Sequence, residues 1–136
     1  MFSEAERNYL KSQHLARLAT VSSKGQPTVD AVGFAFDGSR FYIGGINLPG
    51  TRKYKNVVAG NTKVSLIIDD LESVRPWKPR QIKVHGLAEI VERDGQFGHK
   101  EYIAITPTVS WSFGIEEPLD YKSGKFAPNK IVWTEA

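Results

Sequence analysis

Residues 27–46 read Pro27-Thr28-Val29-Asp30-Ala31-Val32-Gly33-Phe34-Ala35-Phe36-Asp37-Gly38-Ser39-Arg40-Phe41-Tyr42-Ile43-Gly44-Gly45-Ile46. Two runs rich in β-branched and aromatic residues, Pro27–Phe36 and Phe41–Ile46, flank Asp37-Gly38, a pair that tolerates the positive φ of a tight hairpin. Upstream, Leu15–Val21 reads as a strand with small and apolar residues on both faces, and Ser22-Ser23-Lys24-Gly25 turns it toward Pro27. Three consecutive antiparallel strands are therefore predicted by residue 46. Ahead of them, Ser3-Glu4-Ala5-Glu6 is a capping box that starts a helix over Glu4–Lys11, with Ala5, Tyr9 and Leu10 facing the core.

Beyond the hairpin, Asn47-Leu48-Pro49-Gly50 breaks the sheet and a helix follows over Thr51–Ala59, with Tyr54, Val57 and Val58 at helical spacing and Gly60-Asn61 ending it. Strand character returns over Lys63–Asp69. A polar loop is predicted over Asp70–Arg80, then an alternating strand over Gln81–Arg93 and a loop over Asp94–Lys100. Tyr102–Ile105 and Val109–Ile115 read as one strand or two, Glu116–Asn129 as a polar excursion, and Lys130–Trp133 as a last strand. Six or seven antiparallel strands with one mid-chain helix point to a small closed barrel, because closure removes exposed sheet edges. Gly33, inside a strand, reads as a bulge or as bare backbone meeting a ligand ring, with the bulge favoured by its position.

The 136 residues are expected to form a single domain over 1–136. No apolar run approaches the about 20 residues of a membrane span, and Met1–Arg7, with two glutamates, does not read as a signal peptide. No cysteine occurs, which excludes disulfides, thiolate metal sites and cysteine nucleophiles and fits a cytoplasmic protein. Eighteen basic against fifteen acidic residues give +3, too small an excess to imply nucleic acid. The dinucleotide, Walker and serine-elbow patterns are absent, and His14, His85 and His99 have no metal-ligand spacing. An enzyme of this composition leaves its difficult chemistry to a bound cofactor.

Two segments concentrate positive charge. Thr51-Arg52-Lys53-Tyr54-Lys55 puts a hydroxyl and three cations at a predicted helix start, where carboxylates would be the stabilising choice, so an anion such as phosphate accounts for them. A solvated basic turn is the plainer alternative. Arg75-Pro76-Trp77-Lys78-Pro79-Arg80 places Trp77 among cations in a proline-stiffened loop, suited either to stacking on a planar anionic ligand or to covering a strand. Trp111 and Trp133 read as core or interface aromatics, and His85 as a half-buried strand residue and weak candidate proton donor.

Taken in order, Leu15–Val21, Gly25-Gln26-Pro27, the Asp37-Gly38 hairpin, Thr51-Arg52-Lys53-Tyr54-Lys55-Asn56, Val64–Asp69, Pro76-Trp77-Lys78-Pro79-Arg80 and Val84-His85-Gly86-Leu87-Ala88-Glu89 resemble one family over nearly the whole chain. It is that of the pyridoxamine 5'-phosphate oxidase-like split-barrel flavoproteins, and within it the F420-dependent oxidoreductase branch. The resemblance implies a mainly β protein with minor α, a six-stranded split antiparallel β-barrel, homodimeric, with two cofactor sites at the subunit interface. It assigns the cofactor phosphate to Thr51, Arg52 and Lys53 with Lys55 nearby, the ring to the backbone of Ala31, Val32 and Gly33, and the ribityl chain to Asn47. Trp77, Lys78 and Arg80 would come from the partner subunit. The C-terminal Lys130–Ala136 is too poor in arginine for the substrate phosphate of a true pyridoxamine phosphate oxidase. Coenzyme F420 is the favoured cofactor and FMN the alternative, the further cations Lys55, Lys78 and Arg80 suiting the polyglutamate tail of F420.

The implied activity is hydride transfer from reduced F420 to a small electron-poor acceptor, a quinone, an enone or a tetrapyrrole. A binding protein that stores F420, FMN or haem without turnover is the second reading. A barrel that stacks single-stranded nucleic acid on Trp77 and Phe34 is the third, and it leaves the cations of the helix start unexplained.

Overall fold

The computed structural model describes residues 1–118, 122–124 and 127–133. Helix α1 spans Glu4–Ser12, strands β1 and β2 span Leu15–Val21 and Pro27–Gly33, and β3 and β4 span Ala35–Phe36 and Phe41–Ile43. A 3-10 turn at Leu48–Gly50 leads into α2, Arg52–Val58. The remaining strands are β5 (Lys63–Ser73), β6 (Lys78–Gly95), β7 (Gly98–Phe113) and β8 (Asn129–Val132). All pairings are antiparallel, and the sheet runs β2-β1-β5-β6-β7-β4-β3 with β8 added to β7. The two ends of that path, β2 and β3, are consecutive halves of one extended run interrupted only at Phe34. One run thus supplies both ends of the sheet: its first half pairs with β1 and its second with β4. Six strands then make up the barrel, and the fold is mainly β with two helices.

The burial alternation explains the barrel's inside and outside. Ala16, Leu18, Leu66, Ile68, Ile82, Val84, Ile103 and Ile105 are buried and lie at every second position of their strands. Arg17, Ile67, Lys83 and Trp111 share one outward cross-strand row, and Ala19, Ser65, His85 and Val109 share the next. Helix α1 adds Phe2, Tyr9 and Leu10 to the core, and α2 adds Val57.

Several boundaries differ from expectation, and the longest strands differ because tertiary pairing extends them through polar residues. The Asp70–Arg80 loop shrinks to a turn between Ser73 and Lys78, since Asp70 pairs with Arg80 and Leu71 with Pro79 in the β5–β6 ladder. The Asp94–Lys100 loop shrinks likewise, with Gly95 opposite Gly98. Tyr102–Ile105 and Val109–Ile115 merge into the single strand β7, which absorbs Pro107 beside a register shift at His85/Gly86. Phe34 splits the predicted second strand, the third stops at Ile43, and the last starts one residue early at Asn129. Gly33 is no bulge, because the β1–β2 register runs unbroken to Leu15↔Gly33. Gly44 has a packing role: a Cβ there would lie 2.6 Å from the Tyr102 ring.

Helix α1 is fastened at two points. Ser3 accepts from the Glu6 backbone and Glu6 returns the bond at 2.9 Å, as the capping box requires. The second Glu6 oxygen accepts from the Ser112 hydroxyl and from the Asn129 amide. Glu6, not Ala5, is therefore the buried residue of that turn, at 1% exposure. At the other end Asp70 accepts from the Tyr9 hydroxyl (3.0 Å), Gln13 (3.2 Å) and both Nε (2.9 Å) and Nη2 (2.6 Å) of Arg80. Arg80 holds the Asp70 carboxyl below its ordinary range, while burial and then Asp70 push the Tyr9 hydroxyl up.

Glu6→Ala strands a buried serine hydroxyl and removes half the cap, and is expected to cost about 2–3 kcal/mol. A urea midpoint shifted no further than that of the exposed substitution Asn8→Ala overturns this role. For Asp70→Asn the sign follows from a folded pKa below the ordinary 3.8. The ionised carboxylate stabilises above that value and loses its contribution as pH falls through the folded pKa. The stability deficit of Asp70→Asn at pH 7 therefore shrinks as pH drops below about 4, measured by urea unfolding at each pH; a deficit independent of pH refutes the assignment.

Candidate cofactor groove

The basic turn is built by its own backbone needs. Thr51 caps α2: its hydroxyl accepts from the Tyr54 backbone at 3.4 Å and donates to the Leu48 carbonyl at 2.6 Å. Leu48 is buried and anchors the 3-10 turn, while Asn47 folds its amide over Gly50, where a Cβ would meet it at 2.5 Å. Three contacts then fix the helix to the barrel. Val57 enters the core, the buried Asn56 amide donates to Thr20 Oγ1 at 3.0 Å, and the Tyr54 hydroxyl bonds both oxygens of Glu101 at 3.1 Å.

With that face committed, Arg52 and Lys55 point into a groove of about 430 Å³ between α2 and the β1–β2 turn. Lys24 lines the same groove, with Ser22, Ser23 and Thr28 supplying hydroxyls and no carboxylate among its walls. The turn is held to the far end of α2 by the Asn61 amide, which donates to Ser23 Oγ at 3.1 Å. Three cations and several hydroxyls without an acid suit phosphate or a polyanionic chain. The helix has only seven residues, so these side chains, and not its dipole, carry the attraction. Lys53 is half-buried and does not line the groove. Lys24 belongs to the group and sequence reasoning missed it. It sits in an ordinary turn sequence, and only the folding of that turn beside α2 gives it a role.

Thr28, a wall of this groove, lies on β2. Ala31 and Gly33 are exposed three and five residues further on, about 10–17 Å along the strand, and Val32 points into the core. Among the described residues β2 pairs only with β1, so its outer backbone edge has no strand partner. That edge can meet a planar ring through peptide groups alone.

The other predicted site residues lie elsewhere. Trp77 sits at the β5–β6 turn, 53% exposed, and Lys78 opens β6. Helix α2 enters β5 at Lys63, so this turn lies up to about 33 Å away along the strand. Arg80 is occupied by Asp70, by Glu72 at 3.9 Å and by the Tyr9 ring at 5.2 Å. His85 is exposed on the barrel's outer face, not half-buried, with Trp111 edge-on at 4.8 Å. Two strands, β5 and β1, lie between it and Val29 on β2, three spacings or about 14 Å in all. Trp133 packs on Phe2 (4.7 Å) and donates to Ser110 at 2.9 Å. The Leu119–Tyr121, Lys125-Phe126 and Thr134–Ala136 parts of the polar excursion and C-terminus lie outside the described residues. Among those described, no cluster of three or more His, Asp or Glu residues suits a metal, and no helix is long and apolar enough to cross a membrane.

The chain is similar to several known proteins. The family model for pyridoxamine 5'-phosphate oxidase matches residues 2–129. A 5a,11a-dehydrotetracycline/5a,11a-dehydrooxytetracycline reductase of Streptomyces rimosus is 33% identical over 124 residues, 87% of each chain. A solved F420 reductase superposes with a TM-score of 0.63 at 24% identity, covering 80% of this chain and 98% of its own. A haem-binding protein of Mycobacterium smegmatis superposes at 0.69 with 16% identity, over 97% of this chain and 59% of its own. At these identities the two structures share the fold alone.

Proposed function

The chain belongs to the pyridoxamine 5'-phosphate oxidase family of oxidoreductases, and from that premise we propose that it reduces a small electron-poor organic molecule with F420 as hydride donor. The observation that carries this reading is the groove of Lys24, Arg52 and Lys55, which has no acidic wall and includes Thr28 of β2, the strand whose outer edge is unpaired among the described residues. A phosphate and a carboxylate-bearing tail find their counter-charges there. Ala31–Gly33, without a bulky outward side chain, offer backbone to the ring. Thr51 and Asn47 shape the turn and act through it, since the Thr51 proton is already given to Leu48. FMN shares the phosphate but lacks the tail, so the number of cations favours F420.

When bound and reduced, F420 supplies a hydride, and a proton from solvent completes the acceptor's reduction, so that two electrons and two protons are added in all. The chain's residues bind the cofactor, fix its orientation and exclude water from its face. His85 is too far from the β2 edge within one chain to give that proton. An acceptor with a conjugated enone is favoured by the name of the Streptomyces rimosus relative, a dehydrotetracycline reductase. In this reading the protein is a homodimer. The β5–β6 turn is remote from the groove of its own chain, so Trp77 and Lys78 serve the site of a second copy. Exposed Val29, Leu87 and Val132 on the outward face provide apolar surface for that contact. Arg80, already paired with Asp70, positions this turn and is not a free ligand for the tail.

Titration of the cofactor-free protein with F420 and separately with FMN, at fixed salt and followed by tryptophan fluorescence, tests the assignment. F420 is expected to bind at least tenfold more tightly. Tighter FMN binding makes the protein a flavin enzyme, and binding of neither overturns the groove. Arg52→Ala and Lys55→Ala are each expected to weaken F420 by about tenfold, the loss of one charge-assisted contact. Unchanged affinity in both removes the phosphate from this groove.

A further inference from the structure

A second groove, of about 440 Å³, lies at the opposite end of the open β2 edge, between α1 and the β3–β4 hairpin. Phe34 and Phe36 line it together with Leu10, and Arg7 and Lys11 line it from α1. Its volume falls within the range of sites that enclose a drug-sized molecule. Both rings are half-buried against the core, Phe36 lying 4.5 Å and Phe34 6.1 Å from Phe41, so their positions are fixed before any ligand arrives. Arg7 and Lys11 are four residues apart, on one face of the helix. Arg7 is steadied by a bond to the Phe2 carbonyl, and Lys11 is exposed and makes no ion pair among the described residues.

Asp37, also at the groove, offsets only one of these two cations, so the rim of Arg7, Lys11 and Asp37 keeps a net positive charge. Its carboxylate accepts from the backbones of Ser39 (2.9 Å) and Arg40 (2.8 Å) and from the Tyr42 hydroxyl (2.8 Å), so the hairpin holds it in place and takes up its hydrogen-bonding capacity. What remains is an apolar aromatic wall with positive charge at its rim. Phe34 directly follows Gly33, so the groove begins where the proposed ring-binding backbone ends.

We propose that this groove binds the acceptor, and that it selects a planar polycyclic molecule bearing an anionic oxygen substituent: rings against Phe34 and Phe36, anion toward Lys11 and Arg7. The position beside the cofactor ring rests on the functional reading above. The affinity and charge preference of the groove do not, and they are measurable without cofactor.

The probe is anthraquinone-2-sulfonate, with neutral 2-(hydroxymethyl)anthraquinone as its counterpart, titrated calorimetrically into the cofactor-free protein. Lys11→Glu, an exposed change that leaves the core untouched, is expected to weaken the sulfonate at least tenfold and the neutral compound less than twofold. Lys11→Arg is expected to retain sulfonate binding, and Phe34→Ala to weaken both compounds. In amide NMR spectra the sulfonate is expected to shift resonances of Phe34–Gly38 and of α1. Sulfonate affinity indifferent to Lys11→Glu, or shifts confined to the outer face around His85, overturns the proposal. Failure here leaves the F420 and FMN titrations standing, and failure of those leaves this binding intact. In the cofactor-loaded enzyme, Lys11→Glu is expected to raise KM for the sulfonate and leave kcat unchanged; a fall in kcat alone contradicts an acceptor-binding role.

Discussion

The barrel depends on one strand serving two partners. Residues 27–36 pair with β1 through Gly33 and with β4 from Ala35, and the change of partner falls on Phe34. Among the described residues, a sheet closed in this way has no strand beside the outer edge of β2, because the run turns to the other end of the sheet after Gly33. Exposed edges are normally paired, charged or covered, since they invite aggregation. Here the edge is kept short and lies between α2 and α1, with backbone polar groups left for something other than a strand. The constraint that closes the barrel also leaves this edge unpaired among the described residues.

The helices follow from that arrangement. Each docks near one end of the diverted run and commits its inward face to neutral or fully satisfied contacts. In α2 these are Val57, the Asn56–Thr20 bond and the Tyr54–Glu101 pair. In α1 they are Phe2, Leu10 and the Glu6 and Tyr9 networks. Buried polar groups of this kind are costly unless every partner is present, so they fix the rotation of each helix about its axis. That rotation decides which cations face a groove: Arg52 and Lys55 at one end, Arg7 and Lys11 at the other. The grooves are thus a consequence of core packing, not of loop conformation.

This explains how much of the protein was legible in its sequence. Period-2 patterns, the capping box and the Asp37-Gly38 turn are local signals, and the elements they mark formed where expected. The basic turn at Thr51–Lys55 was visible too, because three cations at a helix start contradict local electrostatics. Strand lengths were not legible. Asp70, Arg80 and Pro79 look like loop residues until their ladder partners are known, since an ion pair across β5 and β6 replaces the apolar alternation that marks a strand. Lys24 and Lys11 were missed for a related reason. A lone lysine in a turn or on a helix carries no sequence signal, and each gains meaning only from what folds beside it.

The same geometry bears on why a barrel this small suits cofactor-borne chemistry. No titratable side chain lies on Ala31–Gly33 themselves, and the nearest on the strand is the half-buried Asp30. What the edge offers is length: about 10–17 Å from Thr28 to Ala31–Gly33, then the aromatic groove starting at Phe34. On the proposed reading, charge holds the tail at one end, backbone meets the ring in the middle, and a second charge-rimmed groove meets the acceptor at the other. Each part recognises a chemically different piece, so any one can change without moving the others. Selectivity for the acceptor then resides in α1 and the β3–β4 hairpin, and selectivity for the cofactor tail in α2 and the β1–β2 turn.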